Sequence, residues 1–172
     1  MTGKHHPHSR RHTISVLVDN EPGVLARVIG LFSGRGYNIE SLTVAEVAAR
    51  DNLSRITVVT SGTAQIIEQI KAQLGRLVPV HKVVDLTNEG PAVERELALV
   101  KVAGMGDKRV ESLRIADIFR ARTVDATNES FVFELVGRSD KIEAFINLME
   151  PLGLVDVSRT GVVAIARGPQ PL

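Results

Sequence analysis

Asn20-Glu21-Pro22-Gly23-Val24-Leu25 is the stretch of this sequence best suited to hold a small ligand. It falls where an alternating apolar run gives way to a helical one, so the loop delivers the unpaired N–H groups and positive end of a helix to whatever sits there. A carboxylate suits that position, Gly23 lets a ligand approach the backbone, and the Asn20 side-chain carbonyl can accept from an ammonium. The chemistry is that of an amino acid. The same residues also make an ordinary turn and helix start, and spacing alone does not separate the two.

Catalytic side chains are scarce. The sequence has no cysteine, which removes disulfides, thiolate metal sites and cysteine nucleophiles together. Outside the first twelve residues the sole histidine is His81, in a strand-like run beside Lys82, where no serine or cysteine is oriented by it. Asp51, Asp85, Glu94, Glu96 and Asp125 are scattered over turns and strand ends with no spacing that pairs two of them. Gly104-Met105-Gly106 lacks the third glycine of a dinucleotide fingerprint and the lysine of a P-loop, so it reads as a strand-to-helix turn. His5, His6, His8 and His12 lie among Lys, Arg, Pro and Ser with no acid or cysteine to complete a metal site.

The elements that would position the first loop occur twice. Thr13 to Asp19 alternates as a strand, and Leu25, Val28, Ile29 and Phe32 form a helical stripe that Gly34 and Gly36 can stop. Strands follow at Asn38 to Val47 and Leu53 to Thr60, joined by a hairpin at Ala49-Arg50-Asp51-Asn52. A second stripe, Ile67, Ile70, Leu74 and Leu77, precedes a strand from Val78 to Leu86. After the break Asn88-Glu89-Gly90-Pro91 the order returns: strand Leu97 to Ala103, a helix from Asp107 as N-cap to about Arg120, strands Thr123 to Asn128 and Phe131 to Val136, a helix on Ile142, Phe145, Ile146 and Met149, and a strand from Leu154.

This predicts an α+β fold of two tandem ferredoxin-like βαββαβ units, antiparallel sheets with helices on one face, behind a disordered tail at 1–12. The units run 13–87 and 88–172. A sheet covered on one face needs a partner on the other, so pairing is expected. The 44% hydrophobic content supports real cores, and 3% aromatics makes them aliphatic. Of 21 basic residues, Lys4, Arg10 and Arg11 lie in the tail; the body carries 18 against 20 acids. That balance and the few aromatics disfavour nucleic-acid binding, and the absence of an apolar run near 18 residues disfavours a membrane span; a cytoplasmic location is expected.

Asp19-Asn20-Glu21-Pro22-Gly23-Val24-Leu25-Ala26-Arg27-Val28 followed by Arg35-Gly36-Tyr37-Asn38-Ile39-Glu40-Ser41-Leu42-Thr43-Val44 closely resembles the ACT domain of the small regulatory subunits of acetolactate synthase (acetohydroxyacid synthase). The likeness continues in Leu53-Ser54-Arg55-Ile56-Thr57, Val93 to Leu97, Val100-Lys101-Val102, Ile118-Phe119-Arg120 and Ser158-Arg159-Thr160-Gly161-Val162. Unit 13–87 is then a valine-binding, dimerising ACT domain and 88–172 the small-subunit domain, its Ala103 to Asp107 turn given to assembly and partner contact. The resemblance implies a non-catalytic regulator that binds and activates a large catalytic subunit, which condenses two pyruvates, or pyruvate with 2-ketobutyrate, in branched-chain amino-acid biosynthesis. It also implies feedback inhibition by valine, and homodimers whose ACT sheets join edge to edge. Asn20, Gly23, Val24 and Leu25 would hold the effector's charged ends, with Asn38 and Ile39 supplied by the neighbouring copy. Thiamine diphosphate, Mg²⁺ and FAD would belong to the catalytic subunit, and no cofactor to this chain. An ACT-domain transcriptional regulator and a small ferredoxin-like hydrolase are the competing readings.

Overall fold

A computed structural model describes residues 9–48 and 51–172. The elements are β1 (Arg10–Asp19), α1 (Val24–Gly34), β2 (Ser41–Ala48), β3 (Leu53–Gly62), α2 (Ala64–Gly75), β4 (Val80–Asp85), β5 (Ala92–Val102), α3 (Asp107–Ile118), β6 (Arg122–Ala126), β7 (Phe131–Gly137), α4 (Ser139–Met149), β8 (Leu154–Arg159) and β9 (Val163–Ala166). The chain forms two compact units, one up to Val93 together with Val162–Leu172, the other Glu94–Gly161. The last eleven residues therefore group with the first unit, a partition that runs differently from a single cut near residue 88.

In the first unit the antiparallel sheet has the order β2-β3-β1-β4. Alternation along β1 sends Ile14, Val16 and Val18 to the helix side, where they pack with Ile56 and Val58 of β3, Val24, Val28 and Phe32 of α1, and Ile67, Ile70 and Leu74 of α2. The α1 stripe is thus Val24-Val28-Phe32, and Leu25 faces outward at 37% exposure. The helix stops through a Schellman motif: Tyr37 N–H donates to Phe32 O at 3.0 Å and Gly36 N–H to Ser33 O at 3.3 Å, with Gly36 at φ 70°. The apolar contact that accompanies this motif is the edge-to-face pair of Phe32 and Tyr37, centroids 6.3 Å apart.

Strand β1 starts at Arg10, three residues inside the stretch expected as tail, because His12 is buried and bonded to Asp85. Residues 1–8, with His5, His6 and His8, lie outside the described residues, as do Ala49 and Arg50 of the expected hairpin.

In the second unit the sheet order β6-β7-β5-β8 repeats that of the first. Strand β9, within the last eleven residues, pairs with β5, and the sequence reading did not separate it from the last strand. Its core joins Ala98, Val100 and Val102 to Phe131, Phe133 and Leu135, under Ile115 of α3 and Ile142, Phe145 and Met149 of α4. Gly106, not Asp107, is the N-cap of α3; Asp107 is the first helical residue, where its charge faces the positive end of the helix. A Cβ at Gly104 would stand 2.0 Å from the Leu152 carbonyl oxygen, so this glycine is there for close backbone approach and not for a phosphate.

Candidate functional site

The loop after β1 is tied down by its backbone on both sides. Asp19 N–H donates to Pro79 O at 2.9 Å and Asn20 N–H to Asn52 O at 2.8 Å, which fixes where the chain leaves the sheet. Gly23 then adopts φ 87°, ψ −8°, a left-handed conformation that turns the chain into α1. An added Cβ there would meet nothing within 4 Å, so backbone conformation and not crowding demands glycine.

The start of α1 is bare. No side chain caps it and no acid lies in its first turn. The other three helices differ: Thr63 Oγ1 accepts from Ile66 N–H in α2, while α3 and α4 carry Asp107 and Asp140 in their first turns. Val24 N–H donates to Glu21 O at 3.4 Å, whereas the N–H groups of Gly23, Leu25 and Ala26 have no hydrogen-bond partner among the described residues. Pro22 supplies no N–H, yet three donors remain at the helix mouth. Ala26 was not among the residues expected from sequence; counting the orphan N–H groups from Gly23 would have found it. Next to the loop, the Asp19 carboxylate accepts from His81 Nε2 at 2.5 Å, so its charge is partly met locally. The exposed Asn20 side chain has no partner among the described residues.

The six expected effector residues divide into two groups. Asn20, Gly23, Val24 and Leu25 stand at the N-terminal end of α1, and Asn38 and Ile39 lie beyond its C-terminal end; the helix itself is eleven residues long. At about 1.5 Å per residue that is roughly 16 Å, too far for one small ligand to touch both groups. Val24 is buried in the core, so it can serve a ligand only through its backbone. Leu25 presents an exposed aliphatic side chain. Ile39 is partly buried against the same core, and the Asn38 carbonyl accepts from Thr60 Oγ1 at 2.6 Å, leaving its side chain exposed. Both lead directly into β2, an edge strand of the sheet, which presents Val44 and Val47 at 44% and 45% exposure.

Among the described residues no three His, Cys, Asp or Glu side chains gather into a group that could hold a metal ion. No helix there is long and apolar enough to cross a membrane. His81 belongs to the Asp19 pair described above, and Glu96 is enclosed in the second unit, where it accepts from Arg159 Nε and Ser139 Oγ, each at 2.6 Å.

Comparison with known proteins gives a consistent result. Residues 14–82 match the family model of the acetohydroxyacid synthase small-subunit-like ACT domain, and residues 95–168 match that of the small subunit of acetolactate synthase. A probable acetolactate synthase small subunit of Archaeoglobus fulgidus is 49% identical over 158 residues, covering 92% of this chain and 98% of that protein. The acetolactate synthase small subunit of Haemophilus influenzae is 48% identical over 159 residues, covering 92% and 96%. The crystal structure of the acetolactate synthase small subunit from Thermotoga maritima superposes with a TM-score of 0.80 at 41% identity, covering 94% of this chain and 99% of that one.

Proposed function

This chain belongs to the family of acetolactate synthase small subunits, and from that premise we propose that it activates a separate catalytic subunit and makes it sensitive to valine. The observation that carries the valine reading is the uncapped mouth of α1, where the N–H groups of Gly23, Leu25 and Ala26 have no partner among the described residues. An amino-acid carboxylate placed there gains donors and a favourable helix dipole. The Asn20 side chain accepts from its ammonium, and the exposed Leu25 offers an aliphatic surface to its isopropyl group.

Asn38 and Ile39 complete the site only from a second copy, given the span of α1 between them and the loop. Edge strand β2, which begins directly after them, is the element through which two copies extend one sheet. Valine held across that junction contacts both copies, so its binding energy favours one relative orientation over others. The catalytic subunit reads that orientation. Selectivity for valine over its near homologues is modest, because a methylene in an apolar pocket contributes about 1–3 kcal/mol.

The carbon–carbon bond formation itself, with thiamine diphosphate, Mg²⁺ and FAD, belongs to the catalytic subunit in this proposal; this chain contributes binding and orientation. In this proposal the protein acts in the cytoplasm, beside its catalytic subunit.

The test is to mix the chain with an acetolactate synthase catalytic subunit and measure the rate with and without valine. The expected result is a higher rate that valine suppresses. Gly23→Asp places a carboxylate where the ligand's would bind, so that variant should activate and resist valine, whereas Gly23→Ala, with similar backbone strain and no charge, should keep more of the response. No change in rate on mixing would refute activation, and full valine sensitivity in Gly23→Asp would refute the site.

A further inference from the structure

The sheet face of the first unit that points away from α1 and α2 carries a cavity, apart from the mouth of α1. Alternation along β1 turns Ser15 and Leu17 to this side, and the register pairs Ser15 with Thr57 and Leu17 with Arg55 of β3 on the same face. The chain's own residues 162–172 lie over it: Val162 N–H donates to Ser41 Oγ at 2.8 Å and its carbonyl accepts from Thr43 Oγ1 at 3.1 Å. Val162 and Ala164 are buried as a result. Between strap and sheet is a cavity of about 320 Å³ whose lining residues all belong to this unit. That volume is at the lower end of small-molecule sites, about 300 to 1,000 Å³.

Two polar groups in the lining lack partners. Ser15 is fully buried and its hydroxyl has no hydrogen bond among the described residues. Arg55 is half-buried, its Nε is shielded from solvent without an acceptor, and among the described residues it forms no ion pair. Shielding a guanidinium Nε–H and a hydroxyl without acceptors is costly, and an anion that reaches them removes that cost through charge-assisted hydrogen bonds. The rest of the wall is aliphatic, from Leu17, Val47, Leu53, Leu86 and Ile165. Asp51 also lines the cavity, which disfavours a multiply charged anion such as phosphate and gives an ammonium a place to bind.

We propose that this cavity binds a small aliphatic monocarboxylate, its carboxylate on Arg55 and Ser15 and its hydrocarbon against the leucines. The site is separate from the mouth of α1 and does not depend on the valine reading. Two sources share this chemistry: an aliphatic amino acid, whose ammonium would engage Asp51, and its deaminated counterpart, which would not.

The experiment is titration of the full chain with leucine, with 4-methylpentanoate and with 3-methylbutylamine, followed by backbone amide shifts and calorimetry. Saturable binding of at least one carboxylate, with shifts centred on Ser15, Arg55 and the 162–172 strap, is expected; the amine should not bind. Arg55→Met should weaken binding about tenfold or more, the loss of a hydrogen bond to a charged group. Ser15→Ala should weaken it several-fold, and Gly23→Asp should leave it unchanged. If leucine alone binds and Asp51→Asn removes it, the ligand is an amino acid; if 4-methylpentanoate binds equally well, the carboxylate and hydrocarbon suffice. Absence of carboxylate binding in the wild-type chain, shifts confined to the start of α1, or loss of binding in Gly23→Asp would each overturn the proposal. The wild-type shift map needs no variant to fold.

Discussion

His12 Nδ1 donates to Asp85 Oδ2 at 2.8 Å, and both side chains are almost wholly buried, 3% and 2% exposed. With a carboxylate as acceptor, Nδ1 carries the proton. The other carboxylate oxygen accepts from Thr87 N–H at 3.0 Å, and the Thr87 hydroxyl accepts from Thr13 N–H at 2.9 Å. One side-chain pair thus fastens the beginning of β1 to the end of β4, across 73 residues of sequence.

Removing the imidazole leaves one oxygen of a buried carboxylate without its donor. His12→Ala should therefore lower stability by about 1–3 kcal/mol, measured as a shift in the urea midpoint at unchanged slope. His12→Asn, which keeps a donor, should recover part of the loss. Equal stability of all three proteins would show that the pair contributes nothing net.

The split of the effector residues between two ends of α1 makes a prediction about mixed dimers. Gly23→Asp damages the loop half of a site and Asn38→His the other half, so each homodimer should bind valine poorly. A dimer with one copy of each carries one site damaged twice and one intact site. Mixing the two variants under subunit exchange should thus restore valine binding to one site per mixed dimer, countable by calorimetry. Failure of mixing to restore any binding would place both halves within one chain.

Gly104 is pressed against Leu152 O, with 2.0 Å to an added Cβ. Backbone cannot yield as a side chain does, so Gly104→Ala should cost about 1–3 kcal/mol and lower the melting temperature of the second unit. Gly30→Ala is the control. Its added methyl meets nothing within 4 Å and it lies within α1, where alanine is the better helix former by about 1 kcal/mol.

Glu96 is enclosed at 2% side-chain exposure, and Arg159, which bonds it through Nε, also bonds Glu143. The Glu96 hydrogen bond is the main reason the Arg159 guanidinium holds its proton more firmly than usual. Arg159→Met should cost about 3 kcal/mol, because a buried carboxylate loses its counter-charge. Adding Glu96→Gln should return much of that. A double variant as unstable as the single one would argue that packing of the arginine stem dominates.

Lys71 bonds Glu89, which raises its pKa above the ordinary 10.5. A cation with a raised folded-state pKa adds stability that is complete below the unfolded value and lost as pH climbs through the folded one. Lys71→Gln should therefore reduce stability at neutral pH slightly, and the gap to the wild type should close above about pH 10.5. A gap that persists unchanged at high pH would point to lost packing instead of lost charge.

The repeat, the order of strands and helices in each unit, and the loop at Asn20 to Leu25 were legible because they depend on local rules: alternation, helical stripes and turn residues. The likeness to the acetolactate synthase small subunits, carried by short runs in both units, was equally local. Sequence placed Leu25 in the buried stripe of α1, and three-dimensional packing put Val24 there, one turn before Val28 and Phe32, which both readings share. His12 read as tail since its partner Asp85 is remote in sequence, and a buried hydrogen-bonded pair leaves no periodic trace. The strap at 162–172 read as the end of the second unit for the same reason: Ser41 and Thr43, which hold Val162, are about 120 residues away. What the sequence determined by itself was each element and its apolar face, since neighbours a few residues apart decide both. What only the tertiary structure decided was which distant polar groups meet and which remain without partners, because burial and hydrogen-bond satisfaction are properties of the whole packed chain.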